Sequence, residues 1–345
     1  MTMTGKHAGP TEDEGYRTFV WFTPERRKPT EYELYTVGQQ SGPGHWLDVD
    51  WPLRFDDGRA PWEDSTSAVV ATNWAEFRDP DKQWQRPYVS HTNQDEQALA
   101  RLLPVLTAGA ADGVNPVWAK EILGRTYAAW PFVEYGLFLA LAYAVREARA
   151  DTLNFAVVFQ AADRMRVLQD IVLHLDHLSE AIPGFSDAGA RDAWMNDPSL
   201  VPVREVVERI AASRDWVEIL LITGLVVEPI LGRLAKAELF SRSAPIFGDA
   251  ATPTVLAQSV RAADRAASTA SALARLVCAD ETHGDANKAV INGWLATWQP
   301  RVAAAAEAFA GNFAHAPLSG RTPEVLLQQI LAEQRQAVAA LGLGT

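Results

Sequence analysis

Cysteine is almost absent from this sequence, which has one cysteine in 345 residues. Cys278 therefore has no partner for an intrachain disulfide and cannot form a thiolate zinc site. The chain also has no cluster of lysine and arginine, and its formal net charge of −12 argues against nucleic acid as a partner. No basic and then apolar signal segment follows Met1, which predicts a cytoplasmic protein.

The common catalytic motifs are missing as well. The sequence has no glycine-rich dinucleotide loop, no phosphate-binding loop, no nucleophile elbow and no HExxH zinc motif. Nucleotide binding and the common hydrolytic mechanisms thus have no motif to support them. What is present is a hydrophobic content of 48%, enough for a large buried core.

One apolar stretch, residues 128–145, comes close to the length of a transmembrane helix. Glu134 and Pro131 lie inside it, and neither end has the lysine and arginine excess that marks a cytoplasmic flank. We therefore predict a helix buried on all sides within a large bundle, and no membrane association.

The first 90 residues form a predicted irregular arm. They hold 6 of the 12 tryptophans and 8 of the 20 prolines, without helical or strand periodicity. So many large aromatic side chains must pack on something, either on the bundle of this chain or on a partner subunit. The candidate interface residues are Trp21, Phe22, Trp46, Trp51 and Trp74.

Residues 91–345 have helical patterns throughout and almost no strand signals, which predicts an all-α bundle of long helices. Several segments approach thirty residues, more than twice the usual length of a helix in a globular protein. The predicted helices span 93–111, 116–149, 152–182, 199–213, 215–243, 253–283, 285–311 and 323–341.

Carboxylates on these helices are the main candidates for chemistry. Di-iron bundles take one Glu from each of two helices and a Glu-x-x-His pair from each of two others, because residues three apart share a helix face. The sequence holds an incomplete copy of this set, in which arginine stands at one histidine position. Its members, in chain order, are Glu134, Asp163 with Arg166, Glu228, and Asp280 with His283.

Each of these residues also has a purely structural interpretation. A single Glu in an apolar helix is usually a hydrogen-bonded structural group. On the helix over 152–182 a polar stripe shares one face and is either solvated or a buried ladder of ion pairs. Its members are Gln160, Asp163, Arg166, Asp170, His174 and His177. The last three have metal-like spacing, but a surface or ion-pair role is favoured for them.

Arg166 argues against a metal ion bound by this incomplete set of di-iron ligands. A fixed positive charge about 4 Å from a divalent ion costs roughly 8 kcal/mol at an effective dielectric of 20. That would weaken metal binding by roughly five to six orders of magnitude. We therefore predict no di-iron centre in this chain, with Arg166 neutralising Glu134 and Asp163 inside the bundle.

The sequence resembles the small (beta) subunits of soluble bacterial multicomponent di-iron monooxygenases, and among them those of propane and alkene monooxygenases. The matching segments are 16–19, 22–24, 73–80, Glu228-Pro229, Ala244-Pro245, Asp249, 252–254, 280–287 and 293–295. The resemblance implies a ferritin-like bundle, related to that of ribonucleotide reductase, and an extended N-terminal arm that packs over a large partner.

The resemblance also implies a division of labour. The large (alpha) subunit carries the two irons and oxidises the hydrocarbon with O2 and NADH, while the small subunit is a non-catalytic, degenerate copy in a cytoplasmic heteromer. A reductase and a coupling protein are expected as further partners. Two rival hypotheses stay open: a metal-free adaptor unrelated to oxygenases, and a self-sufficient di-iron oxygenase or radical-generating enzyme. The second would use Glu134, Asp163, Glu228, Asp280 and His283.

Overall fold

The computed structural model describes residues 22, 24–26, 28–37, 39, 58, 66–318 and 320–344, and within these it contains helices and no strand. The α-helices are α1 (Glu31–Thr36), α2 (Gln85–Thr107), α3 (Ala110–Gly113), α4 (Ala128–Glu147), α5 (Asp151–Ala181), α6 (Ala190–Asn196), α7 (Val201–Ala212), α8 (Trp216–Ile222), α9 (Ala251–Val255), α10 (Ala257–Cys278), α11 (Gly284–Ala310) and α12 (Pro323–Ala339).

Two long helices contain π-helical turns. The π-helical segment Trp118–Tyr127 leads directly into α4, and the π-helical segment Thr223–Arg242 continues α8. Wider π-turns re-route backbone hydrogen bonds, and Pro229, which has no N–H to donate, lies within the second segment. Asp215 starts this second long helix by accepting the backbone N–H groups of Val217 and Glu218.

The core lies where α4, α5, α8, α10 and α11 meet around the second π-helical segment. Helix α4 packs most extensively on α5, to which a connection of three residues joins it. Large side chains fill the centre, and Trp118, Trp130 and Trp216 are each fully buried. The predicted all-α bundle of long helices is confirmed. The helix around residue 134 is continuous, but it is not buried on all sides as predicted, because Phe132, Tyr135 and Leu139 are exposed.

The structure adds two short helices that were not predicted, α1 within the predicted irregular arm and α6, and it corrects two predicted helix limits. Helix α2 begins at Gln85 rather than at residue 93, because Pro87 is tolerated in a first turn, where backbone N–H groups have no intrahelical partner. Helix α10 ends at Cys278 rather than at 283, so Asp280 and His283 lie in the connection to α11. Helix α2 also spans residue 90, where the predicted arm meets the predicted bundle; the division itself stays a prediction.

The described part of the arm packs on this chain. Trp74 is 8% exposed, and its ring centre lies 5.0 Å from that of Trp216 in the bundle core. Phe22 is half-buried. The remaining candidate interface residues, Trp21, Trp46 and Trp51, lie outside the described residues. For Trp74, burial within this chain leaves little of the side chain for a partner.

Candidate functional site: a buried ion cluster

Four charged side chains meet in the centre of the bundle. Glu134 on α4, Arg164 on α5, and Glu228 and Lys236 on the second π-helical segment are each at most 3% exposed. Arg164 contacts both carboxylates, with Nη1 lying 3.1 Å from Oε2 of Glu134, and it donates to Oε1 of Glu228. Lys236 Nζ lies 3.3 Å from Oε1 of Glu134 and 3.0 Å from Oε2 of Glu228. We call these four residues the ion cluster.

The charges of the ion cluster cancel, two negative against two positive. Burial alone would raise the pKa of Glu228, but Arg164 and Lys236 outweigh it and lower that pKa to about 2. Burial likewise disfavours the charge on Arg164, yet Glu228 and Glu134 raise its pKa above the ordinary value. Trp130 completes the set by donating its indole N–H to Glu134 over 2.8 Å. The cluster is therefore an electrically neutral network of paired charges, in which Oε2 of Glu228 contacts Lys236 as an ion pair without a hydrogen bond.

Gly232 makes room for this network. It follows Glu228 by one helical turn, and a Cβ atom placed on it would lie 2.4 Å from Oε2 of Glu228. Any larger residue would push the carboxylate away from Lys236. Glycine is destabilising inside a helix, so its presence here is explained by the carboxylate that lies against its backbone.

The ion cluster does not fit a di-iron centre. A metal pair needs carboxylates whose lone pairs are free and histidines that can deprotonate, whereas Arg164 keeps its proton under all ordinary conditions. Both carboxylates already face a cation from two sides. Among residues 66–318 and 320–344, together with the shorter described segments, no group of three or more His, Cys, Asp or Glu side chains could hold a metal ion.

The predicted partner of Arg166 is wrong. Arg166 does not reach Glu134; it pairs with Glu96 on α2, a side chain that is 56% exposed. Arg164 takes the predicted role toward Glu134, because residues two apart on a helix point to nearly opposite sides, whereas Asp163 pairs with Arg265. Sequence reasoning also missed Lys236. The signal was a lysine eight residues after Glu228, close to two turns along the same apolar helix.

Asp163 is not in the ion cluster either. Both of its oxygens accept from Arg265 on α10, with Nη2 at 2.7 Å from each. Tyr88 on α2 donates its hydroxyl to Oδ1 of the same carboxylate over 3.0 Å. Burial and the negative charge of Asp163 raise the pKa of Tyr88, which therefore stays protonated. Asp163 thus links α2, α5 and α10 around an open polar cavity of about 310 Å³.

Asp280 and His283 likewise lie outside the ion cluster, which corrects their predicted place in the set. Asp280 accepts the backbone N–H of Thr72 over 2.6 Å and that of His283 over 2.9 Å. These two hydrogen bonds are the main reason that its pKa falls to about 2. Asn287 pairs with the backbone of Val70 through both amide atoms. This segment therefore fastens the chain around residues 70–72 to the bundle.

The polar stripe on α5 is buried for most of its length. Gln160, Asp163, Arg166, Asp170 and His174 are each at most 7% exposed, and His177 is half-buried. His174 Nδ1 lies 3.0 Å from the hydroxyl of Tyr127, and burial lowers the pKa of this imidazole to about 4, so it is neutral. Burial raises the pKa of Asp170 to about 6. The predicted burial holds for all but His177, but the predicted ladder of ion pairs is wrong, because Asp163 pairs with Arg265, Arg166 with Glu96 and His174 with the neutral Tyr127.

Comparison with known proteins shows the family to which this chain belongs. The family model described as methane/phenol/alkene hydroxylase matches residues 51–281. The hydroxylase small subunit of propane 2-monooxygenase from Rhodococcus jostii is 35% identical over 312 residues, which cover 89% of this chain and 84% of that protein. The chain belongs to the methane/phenol/alkene hydroxylase family.

Within the family the similarity is to the small subunits. The methane monooxygenase component A beta chain of Methylococcus capsulatus is 30% identical over 305 residues, 86% of this chain and 78% of that one. A solved structure, xenon-pressurized phenol hydroxylase from Pseudomonas sp. OX1, has a TM-score of 0.78 at 15% identity and covers 92% of both chains. The resemblance to beta subunits of multicomponent monooxygenases is confirmed, as is the ferritin-like helical fold.

Proposed function

We propose that this chain is the structural, non-catalytic beta subunit of a di-iron hydrocarbon monooxygenase. The observation that carries the proposal is the ion cluster, in which Arg164 and Lys236 balance the charges of two buried carboxylates that metal ions would otherwise balance. The cluster ties α4, α5 and the second π-helical segment together, so it can stabilise the bundle without any redox chemistry.

The oxidation then belongs to the partner. Relatives of this chain are named as hydroxylase small subunits or beta chains of propane, methane and toluene monooxygenases. We infer a large alpha subunit that holds the di-iron centre and carries out O2- and NADH-dependent hydroxylation or epoxidation, with propane or an alkene as substrate. A coupling protein and an NADH reductase would complete a cytoplasmic heteromeric system.

Co-expression with a large di-iron hydroxylase subunit of the same system tests this proposal. We expect a stable complex in which iron copurifies with the large chain, and in which changing a metal ligand of the large chain abolishes both iron and oxidation. The matched change here, Glu228→Gln, should lower stability but leave the iron content of the assembled complex unchanged. Loss of that iron in Glu228→Gln, at an equal yield of complex, would overturn the proposal.

The rival enzyme hypothesis makes the opposite prediction for the same variant. A self-sufficient oxygenase using Glu134 and Glu228 would lose its activity in Glu228→Gln, and the chain would oxidise substrate without any partner. The metal-free adaptor hypothesis predicts no complex with a di-iron chain at all. The three outcomes are distinct in one set of purifications.

A further inference from the structure

Helix α4 has an exposed apolar ridge on the side turned away from the core. Phe132, Tyr135 and Leu139 are 36%, 47% and 44% exposed, and they lie at positions i, i+3 and i+7 of one helix face. The ring of Phe132 stacks on that of Trp194 with centres 5.8 Å apart, and Tyr135 stacks on Phe138 at 6.1 Å. These contacts hold both aromatic rings in place, so little side-chain entropy would be lost on docking. We call the three residues the α4 ridge.

The helix that carries this ridge is too apolar to be left in water. The continuous helix Trp118–Glu147 has a window hydrophobic enough to cross a membrane, yet only 50% of that window is buried within this chain. Glu134 lies inside the same helix, bound to two cations of the core, which argues against a lipid-spanning role. The uncovered part of this helix is the apolar face that carries the α4 ridge, and an exposed apolar face of this kind fits a contact with a protein partner.

We infer that the α4 ridge is the apolar centre of the surface that docks on the large hydroxylase subunit; this rests on the proposed function. A second copy of this chain is disfavoured as the occupant, because each copy has a net charge of −12 and two copies would repel each other. The ridge is free of charged side chains, so it fits an apolar face of a helical partner.

The exposed area shows how far the contact must extend. A buried aromatic side chain covers about 150–250 Å², so the exposed parts of these three residues amount to roughly 250 Å². A stable interface takes about 800 Å² from each partner. The ridge therefore supplies the centre of the interface, where aromatic residues contribute most of the affinity, and its neighbours supply the polar rim.

A charge placed on the ridge tests the inference in the co-expressed complex. We expect Leu139→Glu to reduce the recovery of complex, or its affinity, by at least about 100-fold, because the new carboxylate would be desolvated without a partner. The matched control is Val105→Glu on α2, whose native side chain is 72% exposed. It should change complex formation by less than about twofold. Equal melting temperatures of the isolated variants establish that both remain folded.

The possible results separate the two claims. If the wild-type chain forms no complex with the large subunit, the proposed function fails and the inference fails with it. If the wild type binds and Leu139→Glu binds equally well, only the inference about the α4 ridge is overturned. If sedimentation shows a homodimer that Leu139→Glu dissociates, the occupant is a second copy of this chain, which also overturns the inference.

Discussion

The ion cluster and the polar stripe of α5 are both buried, both charged and both built partly from the same helix, yet they differ in how their charges are satisfied. In the ion cluster every charged group faces two of opposite sign. In the stripe, Asp170 Oδ2 and His174 Nε2 accept no hydrogen bond from the described residues. In the ion cluster Glu228 Oε2 also lacks a hydrogen bond, but it lies 3.0 Å from Nζ of Lys236. The pKa of Glu228 in the ion cluster is lowered to about 2, whereas that of Asp170 in the stripe is raised to about 6, so the stripe changes protonation at a higher pH.

The largest difference in stability between the ion cluster and the polar stripe is expected when one cation is removed from each. We expect Arg164→Ala to lower the free energy of unfolding by about 3–5 kcal/mol, because Glu134 and Glu228 would remain buried with one cation fewer. Arg166→Ala should cost about 1 kcal/mol, since its partner Glu96 is already largely exposed to water. Urea denaturation of both variants measures the contrast. Equal losses would mean that the ion cluster has been assigned to the wrong arginine.

The next largest loss of stability is expected from a substitution at Gly232, whose backbone packs against Glu228. Gly232→Ala places a methyl group where the carboxylate now lies, and we expect a loss of about 1–3 kcal/mol. Gly293→Ala on α11 is the matched control, because a Cβ atom there meets nothing within 4 Å. The control should gain up to about 1 kcal/mol from helix propensity. A stabilised Gly232→Ala variant would contradict the described position of Glu228.

The two regions should also respond differently to pH. Burial is the main cause of the raised pKa of Asp170, with Glu96 and Asp95 adding to it and Arg166 opposing it. A raised carboxyl pKa means that the folded state loses stability as pH rises from about 4, the unfolded value, to about 6. Asp170→Asn removes that loss, so we expect it to stabilise the protein at pH 7.5 by up to about 3 kcal/mol, and little at pH 4.

The pH dependence of stability that Glu228 causes has the opposite sign and falls in a lower pH range. Its lowered pKa, about 2, contributes stability that is fully present above the unfolded value and is lost only as pH falls toward 2. Between pH 5 and 7.5, therefore, the difference between wild type and Asp170→Asn should follow Asp170 alone; the contribution of His174 is common to both proteins and cancels. Thermal melts across this range measure the difference, and a constant value would contradict the assignment.

His177 should have the smallest effect of all. It is half-buried at the exposed end of the stripe, and the structure gives it no hydrogen bond. We expect His177→Ala to change the free energy of unfolding by less than about 0.5 kcal/mol. A loss above 1.5 kcal/mol, measured by the same urea denaturation, would mean that this end of α5 is packed more tightly than described.

The sequence was sufficient to predict the long helices and the burial of Glu134 and Glu228, because an isolated carboxylate in an apolar helix stands out. It was not sufficient to choose between Arg164 and Arg166. The two arginines are two residues apart, and apolar side chains are spread around their helix, so either face could turn inward. The spacing Asp163-x-x-Arg166 is that of a metal-binding pair, so it favoured Arg166. The arginine that pairs with Glu134 and Glu228 is determined by where α4 and the second π-helical segment lie against α5.

The role of Asp280 and His283 was unpredictable for a different reason. Their spacing suits a metal-binding helix, but α10 ends at Cys278, and Asp280 binds backbone N–H groups at the connection. Such short-range capping competes with a role in the core, and carboxylate-x-x-His spacing alone does not separate the two. The partners of Asp280 and Asn287, around residues 70–72, lie more than 200 residues away in the sequence.

The most direct test of the account is the iron content of this chain purified without partners, loaded with ferrous iron, desalted and analysed for metal. The ion cluster predicts essentially no bound iron, in the wild type and in Arg166→Ala alike, because Arg164 and Lys236 already pair with both buried carboxylates that metal ions would need. Binding of about two irons per chain, the content of a di-iron bundle, would contradict the account and make this chain an oxygenase in its own right.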